Sequence, residues 1–375
     1  MRVTLSDPTL LRQAGRFVWL ELNYDNEGNQ AFLARHGVAW TPAILVLDPS
    51  DERVTASRMG GMSLSELKGF LEEGDRGFRS KEKGQVAAAL SRGNAESGAG
   101  RFAEAADAYR EAVRLAEPRS PQRAHATDAL VSTLQVKREW QTCAETATAE
   151  APALPRGSSF GRIVHVGLGC ANVGEDARWA VAARKTLEPL AVEATGIDGL
   201  SRDDRFQLYE KLMIAAQLRN APDENAKWGK RWLDEIDHVV PSSDDERSGL
   251  DVARVDAVLL LDEPALALPA LEASERAMPQ NYTASARLAR VAEAANHHDL
   301  ALAACERGLR HVDGPIGRTG LLLTKASALQ GKGELSRAKE TAQLALQAAT
   351  SIPNAHNRSN AQRRASDFIA KLETK

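Results

Sequence analysis

Apolar positions along the chain change their period once. Over the first seventy residues they come in short solid runs, and beyond residue 82 they recur at three- and four-residue intervals through long stretches. Phe17-Val18-Trp19-Leu20-Glu21-Leu22 and Ile44-Leu45-Val46-Leu47 are runs of β-formers, the second closed by a turn at Asp48-Pro49-Ser50-Asp51. Both predict buried strands. Between them, Glu27 to His36 carries Ala31, Phe32 and Ala34 at helical density and ends at Gly37, which suits a C-cap, with His36 placed to meet the negative end of the helix dipole. Arg53 to Arg58 reads as the hairpin partner of the second strand. Ser63-Leu64-Ser65-Glu66 is a capping box that opens a helix through Leu67, Phe70 and Leu71. The predicted order is β-α-β-β-α with a right-handed crossover, and Gly74-Asp75-Arg76-Gly77 marks its end.

With Gly37-Val38-Ala39-Trp40-Thr41-Pro42-Ala43 entering the second strand and Gly60 following the third, this order resembles the C-terminal two thirds of the thioredoxin fold. The resemblance implies a cis-proline at Pro42, preceded by Thr41. A proline at a strand entry deletes a ladder donor, and a cis bond in a tight turn accommodates that, as does a trans proline at the first residue of a strand. Thioredoxin chemistry needs a low-pKa thiolate in a CxxC at a helix N-terminus. Residues 1–81 contain no cysteine. By the same resemblance the CxxC and its strand would lie upstream of Met1, with Leu5 to Ala14 following the catalytic helix. That leaves a start placed too far downstream, a shortened chain, or a degenerate fold without its central strand.

Beyond residue 82 strand patterns cease and the chain repeats. Gly93-Asn94-Ala95-Glu96-Ser97-Gly98-Ala99-Gly100-Arg101-Phe102, followed by Ala105, Tyr109, Ala112 and Pro118, resembles a tetratricopeptide repeat. Small Gly93 and Ala105 let two helices approach across a turn at Gly100, Phe102 and Tyr109 fill the space around them, and Pro118 stops the second helix. The same register returns downstream. Ala267, Leu271 and Ser274 recur 34 residues later as Ala301, Cys305 and Gly308, and 37 residues later again as Ala338, Ala342 and Ala345. Ala289 and Ala326 stand twelve positions before Ala301 and Ala338. Degenerate hairpins fill the middle: Gln122–Lys137 with Glu139–Glu150, Phe160–Val173 with Glu175–Val192, Arg202–Leu218 with Pro222–His238, and Asp244–Leu261 with Pro264–Met278.

The fold class is therefore multidomain. A partial α/β thioredoxin-like unit occupies 1–75, and an all-α tetratricopeptide-repeat superhelix of about seven hairpins occupies 82–350. A capping helix follows over 355–375, with Phe368, Ile369 and Leu372 turned inward.

Composition supports the helical reading, because 43% of residues are hydrophobic and only 5% aromatic, so the apolar content is largely Ala and Leu. A formal charge of −3 argues against a basic footprint for nucleic acid. No apolar stretch reaches the length of a membrane span, and Asp7-Pro8 interrupts any export signal at Met1. The chain as it stands reads as cytoplasmic, and as periplasmic or secreted if a signal segment precedes it. Cys143, Cys170 and Cys305 are odd in number and far apart without CxxC spacing, which reads as buried reduced thiols.

Candidate chemistry is sparse. Gly167-Leu168-Gly169 with Gly174 follows no strand and falls at close helix contacts, Gly314 to Gly320 reads as a connector, and Ser158 and Ser159 have no His/Asp arrangement. His297, His298, Cys305 and His311 are the densest ligand group, yet Cys305 holds a packing register, so no metal or cofactor is expected. Asp203-Asp204 and Asp244-Asp245-Glu246 read as solvated first turns of helices. What remains is a non-catalytic scaffold that holds an extended protein or peptide ligand on its first helices, with Gln85, Ala89, Asn94, Tyr282 and Arg287 as candidate groove residues. The alternative is a thiol-disulfide oxidoreductase whose CxxC lies upstream.

Overall fold

A computed structural model describes residues 5, 7–13, 15–36, 38, 41–52, 54–59, 62, 64–79 and 85–373. Gly37, Ala39, Trp40, Gly60 and Ser63, on which the expected cap and capping box fall, lie outside the described residues. The chain divides into two compact units, one of residues 1–20 with 31–228 and one of residues 21–30 with 229–375.

The first unit begins with a short 3-10 turn, Pro8–Gln13. Helix α1, Gln30–Arg35, leads to strands β1, Ala43–Leu47, and β2, Val54–Met59, which pair antiparallel with a register shift between Val46 and Leu47. Helix α2, Leu64–Arg79, follows, and its Leu67, Phe70 and Leu71 close a small core with Leu10, Val46, Ala56 and Met62. The peptide bond between Thr41 and Pro42 is cis, and both residues are exposed.

Three expectations for this region are corrected. Phe17 to Leu22 is not a buried strand: only Phe17 makes a bridge, while Val18 is 89% and Leu20 79% exposed. An apolar run whose ladder groups find no continuous partner among the described residues has no reason to remain a strand. Gly74 to Gly77 is no boundary either, because α2 runs through it. A Cβ at Gly74 would lie 2.7 Å from Val46 Cγ1, so that glycine serves a close helix-to-strand approach. His36 is no dipole partner, being buried against the Phe32 ring at 4.3 Å, and burial lowers its pKa.

From residue 85 the unit is helical: α3, Gln85–Gly98; α4, Phe102–Leu115; α5, Pro121–Val136; α6, Trp140–Glu150; α7, Ser158–Val173; α8, Arg178–Ala194; α9, Arg202–Leu218; and the start of α10, Pro222–Asp237. The glycines expected at close contacts are at close contacts. A Cβ on Gly93 would meet the Tyr109 ring of α4 at 2.4 Å, and one on Gly167 would meet Ala147 of α6 at 2.2 Å. Gly98 meets Val54 of β2 in the same way, which seats the hairpin on α3.

Cys143 of α6 and Cys170 of α7 are joined by a disulfide, their Cα atoms 6.2 Å apart. This corrects the reading of reduced thiols. The chain folds back between them through a 3-10 turn at Ala151–Ala153, so a separation of 27 positions along the chain concealed the adjacency. Cys305 alone is free, and burial pushes its thiol up to about 12.

The second unit continues α10 and adds α11, Asp244–Leu261; α12, Leu268–Ala277; α13, Tyr282–Ala294; α14, His298–His311; α15, Pro315–Gly331; α16, Leu335–Thr350; and α17, Ala355–Glu373. Its main core gathers Val255, Val258, Ala267, Leu271, Leu288, Ala289, Ala304, Cys305 and Leu321. Ala301, Ala326, Ala338, Ala342 and Ala345 have no exposed surface, as the recurring small-residue register requires. Gly314 to Gly320 is not a connector: Gly314 caps α15 and Pro315 opens it, a placement that costs proline no hydrogen bond. Leu372 of α17 packs with Leu329 and Ala338, and Lys339 of α16 pairs with Glu373 at 2.7 Å. Among the described residues no helix is long and apolar enough to cross a membrane.

One turn recurs through both units. The residues Gly100, Arg138, Glu175, Asn220, Asp262, Asn296 and Gly333 each have positive φ, between 45° and 73° except for 78° at Gly333, and each stands between two successive helices. In six of these turns the next amide reaches five residues back, as from Arg101 N to Glu96 O, Glu139 N to Leu134 O and His297 N to Ala292 O. That bond pattern is the Schellman closure of a helix C-terminus. The turn at Glu175 lacks it and bonds Ala177 N to Gly174 O instead.

Candidate functional site

The residues expected to line a groove occupy different situations. Gln85 is exposed on α3. Ala89 is 1% exposed and Asn94 6%, with Asn94 Oδ1 accepting from the Tyr109 hydroxyl at 2.8 Å. These two are core, and the reason is the close approach of α4 at Gly93. Tyr282 is half-buried and lies over Gly317, where a Cβ would meet its ring at 2.6 Å. Arg287 is half-buried on α13 and donates from Nη1 to Ser248 Oγ of α11 at 2.8 Å.

Two charged clusters on first helices were not foreseen. In the first unit, α5, α7 and α9 lie side by side and carry Asp128, Arg162, His165 and Asp204. Arg162 donates to Asp128 Oδ2 from Nε at 2.9 Å and from Nη2 at 2.6 Å, and its Nη1 lies 3.9 Å from Asp204 Oδ2. His165 Nε2 stands 3.7 Å from Asp204 Oδ1. Asp204 therefore does not belong to a solvated turn. Ser201 caps α9 by accepting from the Asp204 amide, and that fixes the carboxylate inward while Asp203 stays exposed. Burial alone would raise the Asp204 pKa, but His165, Arg162 and Arg58 outweigh it and hold the group below the ordinary carboxylate value. Hydrogen bonds in this cluster join α5 to α7 through Arg162 and Asp128, while Asp204 of α9 meets them at ion-pair distance only, and Asp204 Oδ2 and His165 Nε2 have no hydrogen-bond partner among the described residues.

In the second unit, Arg247, Asp251 and Arg254 fall on one face of α11 at four- and three-residue spacing, and Arg287 of α13 meets them. Asp251 is buried, and its Oδ1 accepts from Ser274 Oγ at 3.0 Å. Burial pushes the Asp251 pKa up, against Ser274 and the three arginines. Arg254 pairs with Asp237 at 2.5 Å. Arg247 and Arg287 have no carboxylate within ion-pair distance among the described residues, and Arg247 Nε, Arg254 Nε and Asp251 Oδ2 have no hydrogen-bond partner there. Three guanidinium groups thus face two carboxylates, with donors to spare. The shallow hollow along α4, by contrast, is lined by that helix's own pairs, Arg110 with Asp107 and Arg114 with Glu111.

The candidate ligand residues of α14 do not converge on anything. Cys305 is sealed in the core, and the His298 ring covers Gly331. Among the described residues no group of His, Cys, Asp and Glu could hold a metal. Gly167 to Gly174 lies in α7 and at its end, where its glycines meet neighbouring helices.

No protein-family model matches the chain. No curated protein is similar to it. Solved structures similar to it include a tetratricopeptide repeat protein from Parabacteroides merdae, 12% identical with a TM-score of 0.49, covering 78% of this chain and 99% of that one. Another is the TPR2AB domain of yeast Sti1 in a complex with pHSP90, 17% identical with a TM-score of 0.30, covering 77% and 98%. Both neighbours are tetratricopeptide-repeat proteins. The helical-repeat character of this chain stands on its own recurring turns and small-residue contacts.

Proposed function

We propose that the chain is a non-catalytic protein–protein interaction scaffold that holds an extended acidic peptide segment of a partner along the first helices of its second unit. The carrying observation is the surplus of positive charge at Arg247 and Arg287, with Arg247 Nε lacking a hydrogen-bond partner among the described residues. A half-buried guanidinium without a carboxylate is costly unless something supplies the missing acceptor, and a single carboxylate matches the one excess positive charge. Helical repeats present such faces to extended ligands. Tyr282 and Arg287 remain groove candidates in this reading, and Gln85 is the exposed position of the first helix.

The segment β1–β2–α2 is read as a thioredoxin-like remnant without redox activity. Residues 1–81 hold no cysteine, two of the three cysteines are bonded to each other, and the third is sealed with its thiol pushed up to about 12. A thiol that keeps its proton at neutral pH is a poor nucleophile.

Fluorescence anisotropy with a labelled, C-terminally amidated decamer of glutamate, against the glutamine decamer, tests the scaffold reading. The glutamate peptide is expected to bind and to weaken with salt, with Arg287→Gln or Arg247→Gln lowering its affinity about tenfold. Equal binding of both decamers, or binding indifferent to both substitutions, contradicts it.

A further inference from the structure

The disulfide joins two helices that belong to successive hairpins. Cys143 sits on α6, the second helix of one hairpin, and Cys170 on α7, the first helix of the next. Both residues have no exposed surface. They lie where the helices approach most closely, beside the Gly167–Ala147 contact, and Cys143 Sγ is 4.0 Å from the Val166 carbonyl. Their Cα separation of 6.2 Å is within the span of a disulfide without backbone movement. Cys305 holds a similar small-residue position on α14 but stands alone, buried and without a second sulfur.

A cross-link of this kind persists where thiols are oxidised and is rare where glutathione and thioredoxin keep them reduced. Its burial adds a second constraint. A reductant cannot reach either sulfur while α6 and α7 are packed, and neither can an oxidant. The bond has to be made while the helices are still open.

We infer that Cys143–Cys170 is a permanent structural cross-link, closed during folding in a thiol-oxidising compartment by exchange with a disulfide-bearing oxidant, and that it makes the second and third helical hairpins one cooperative block. The chemistry balances in two exchanges. One cysteine thiolate attacks the oxidant's disulfide, forming a mixed disulfide and releasing one oxidant thiolate. The second cysteine thiolate attacks the protein sulfur of that mixed bond, closing the internal disulfide and releasing the other oxidant thiolate. The protein loses two electrons, the oxidant gains them, and the two thiol protons end on the oxidant's thiols. Residence in such a compartment replaces the cytoplasmic expectation. In a stack where each hairpin contacts only its neighbours, a covalent bond between neighbours strengthens the term on which cooperativity depends.

The test uses the full chain, reduced and unfolded in urea, then refolded with oxidised glutathione and alkylated in urea before mass spectrometry. One alkylated cysteine, mapped to Cys305, is expected, and three after reduction. Dithiothreitol is expected to leave the bond intact in the folded chain and to open it only in urea. Reduction should lower the folding equilibrium constant of the unit about 400-fold, from the closure entropy of a 27-residue loop, and Cys305→Ser should change neither result. Three alkylated cysteines after oxidative refolding, a bond that includes Cys305, or ready reduction of the folded chain would overturn the inference. Cys143→Ser with Cys170→Ser serves as the permanently open reference.

Discussion

Two buried aspartates carry opposite signs. Asp204 is held below the ordinary carboxylate value, since the cations around it outweigh the cost of burial, so its ionised form stabilises the fold at neutral pH. Asp251 is pushed above that value by burial, so its ionised form opposes folding. Asp204→Asn should therefore destabilise the protein at pH 7 by about 1–3 kcal/mol, because it withdraws the carboxylate that Arg162 and His165 approach. That difference should shrink as pH falls below about 4, where a depressed carboxylate loses its contribution. Asp251→Asn should raise the urea midpoint at pH 7, with the gain disappearing in acid as the wild-type group takes up its proton. Urea titrations across pH check both. The sequence did not foretell this contrast. Asp203-Asp204 and Asp251 are ordinary helical acids in one dimension, and only the arrival of α7 beside α9, or of α13 beside α11, sets their surroundings.

Small residues made the helices legible. Gly93, Ala105, Ala289, Ala301, Ala326 and Ala338 were readable as contact points because a helix pair that approaches closely excludes larger side chains, and they are buried as that argument requires. Glycines at 74–77 misled for the same reason, since a glycine that admits a strand looks in sequence like one that breaks a helix. The turns carry a second layer of the repeat. Five of the seven positive-φ positions are Gly, Asn or Asp, which tolerate that backbone, while Arg138 and Glu175 do not do so readily. Arg138 adopts φ 59° all the same, held by the amide of Glu139 on the Leu134 carbonyl. Arg138→Gly should thus stabilise the protein by up to about 1 kcal/mol, read as a higher urea midpoint at unchanged slope. A loss of stability there would mean that the turn is not shaped as described.

At the scale of the molecule, helical content and the recurring register were present in the sequence, because amphipathic spacing and small contact residues are local properties. What escaped it depends on partners distant in the chain. Phe17 to Leu22 has the composition of a strand but, among the described residues, only Phe17 makes a bridge. Cys143 and Cys170 are separated along the chain yet adjacent across two helices, and the Arg247, Arg254 and Arg287 face is assembled from α11 and α13. Of the groove expected from sequence, Arg287 lies in that cluster and Tyr282 sits half-buried on the same helix. Ala89 and Asn94 were lost to the core because position on a first helix does not settle which way a residue faces.

One turn, closed the same way in six of the seven hairpins, pairs their helices in both units. Amide hydrogen exchange resolved to single residues tests it most directly. Slow exchange is predicted at Arg101, Glu139, Ala221, Glu263, His297 and Glu334, whose amides reach back to Glu96, Leu134, Ala216, Val258, Ala292 and Leu329. Exchange at those six positions as fast as in the exposed run Val18 to Leu22 would contradict it.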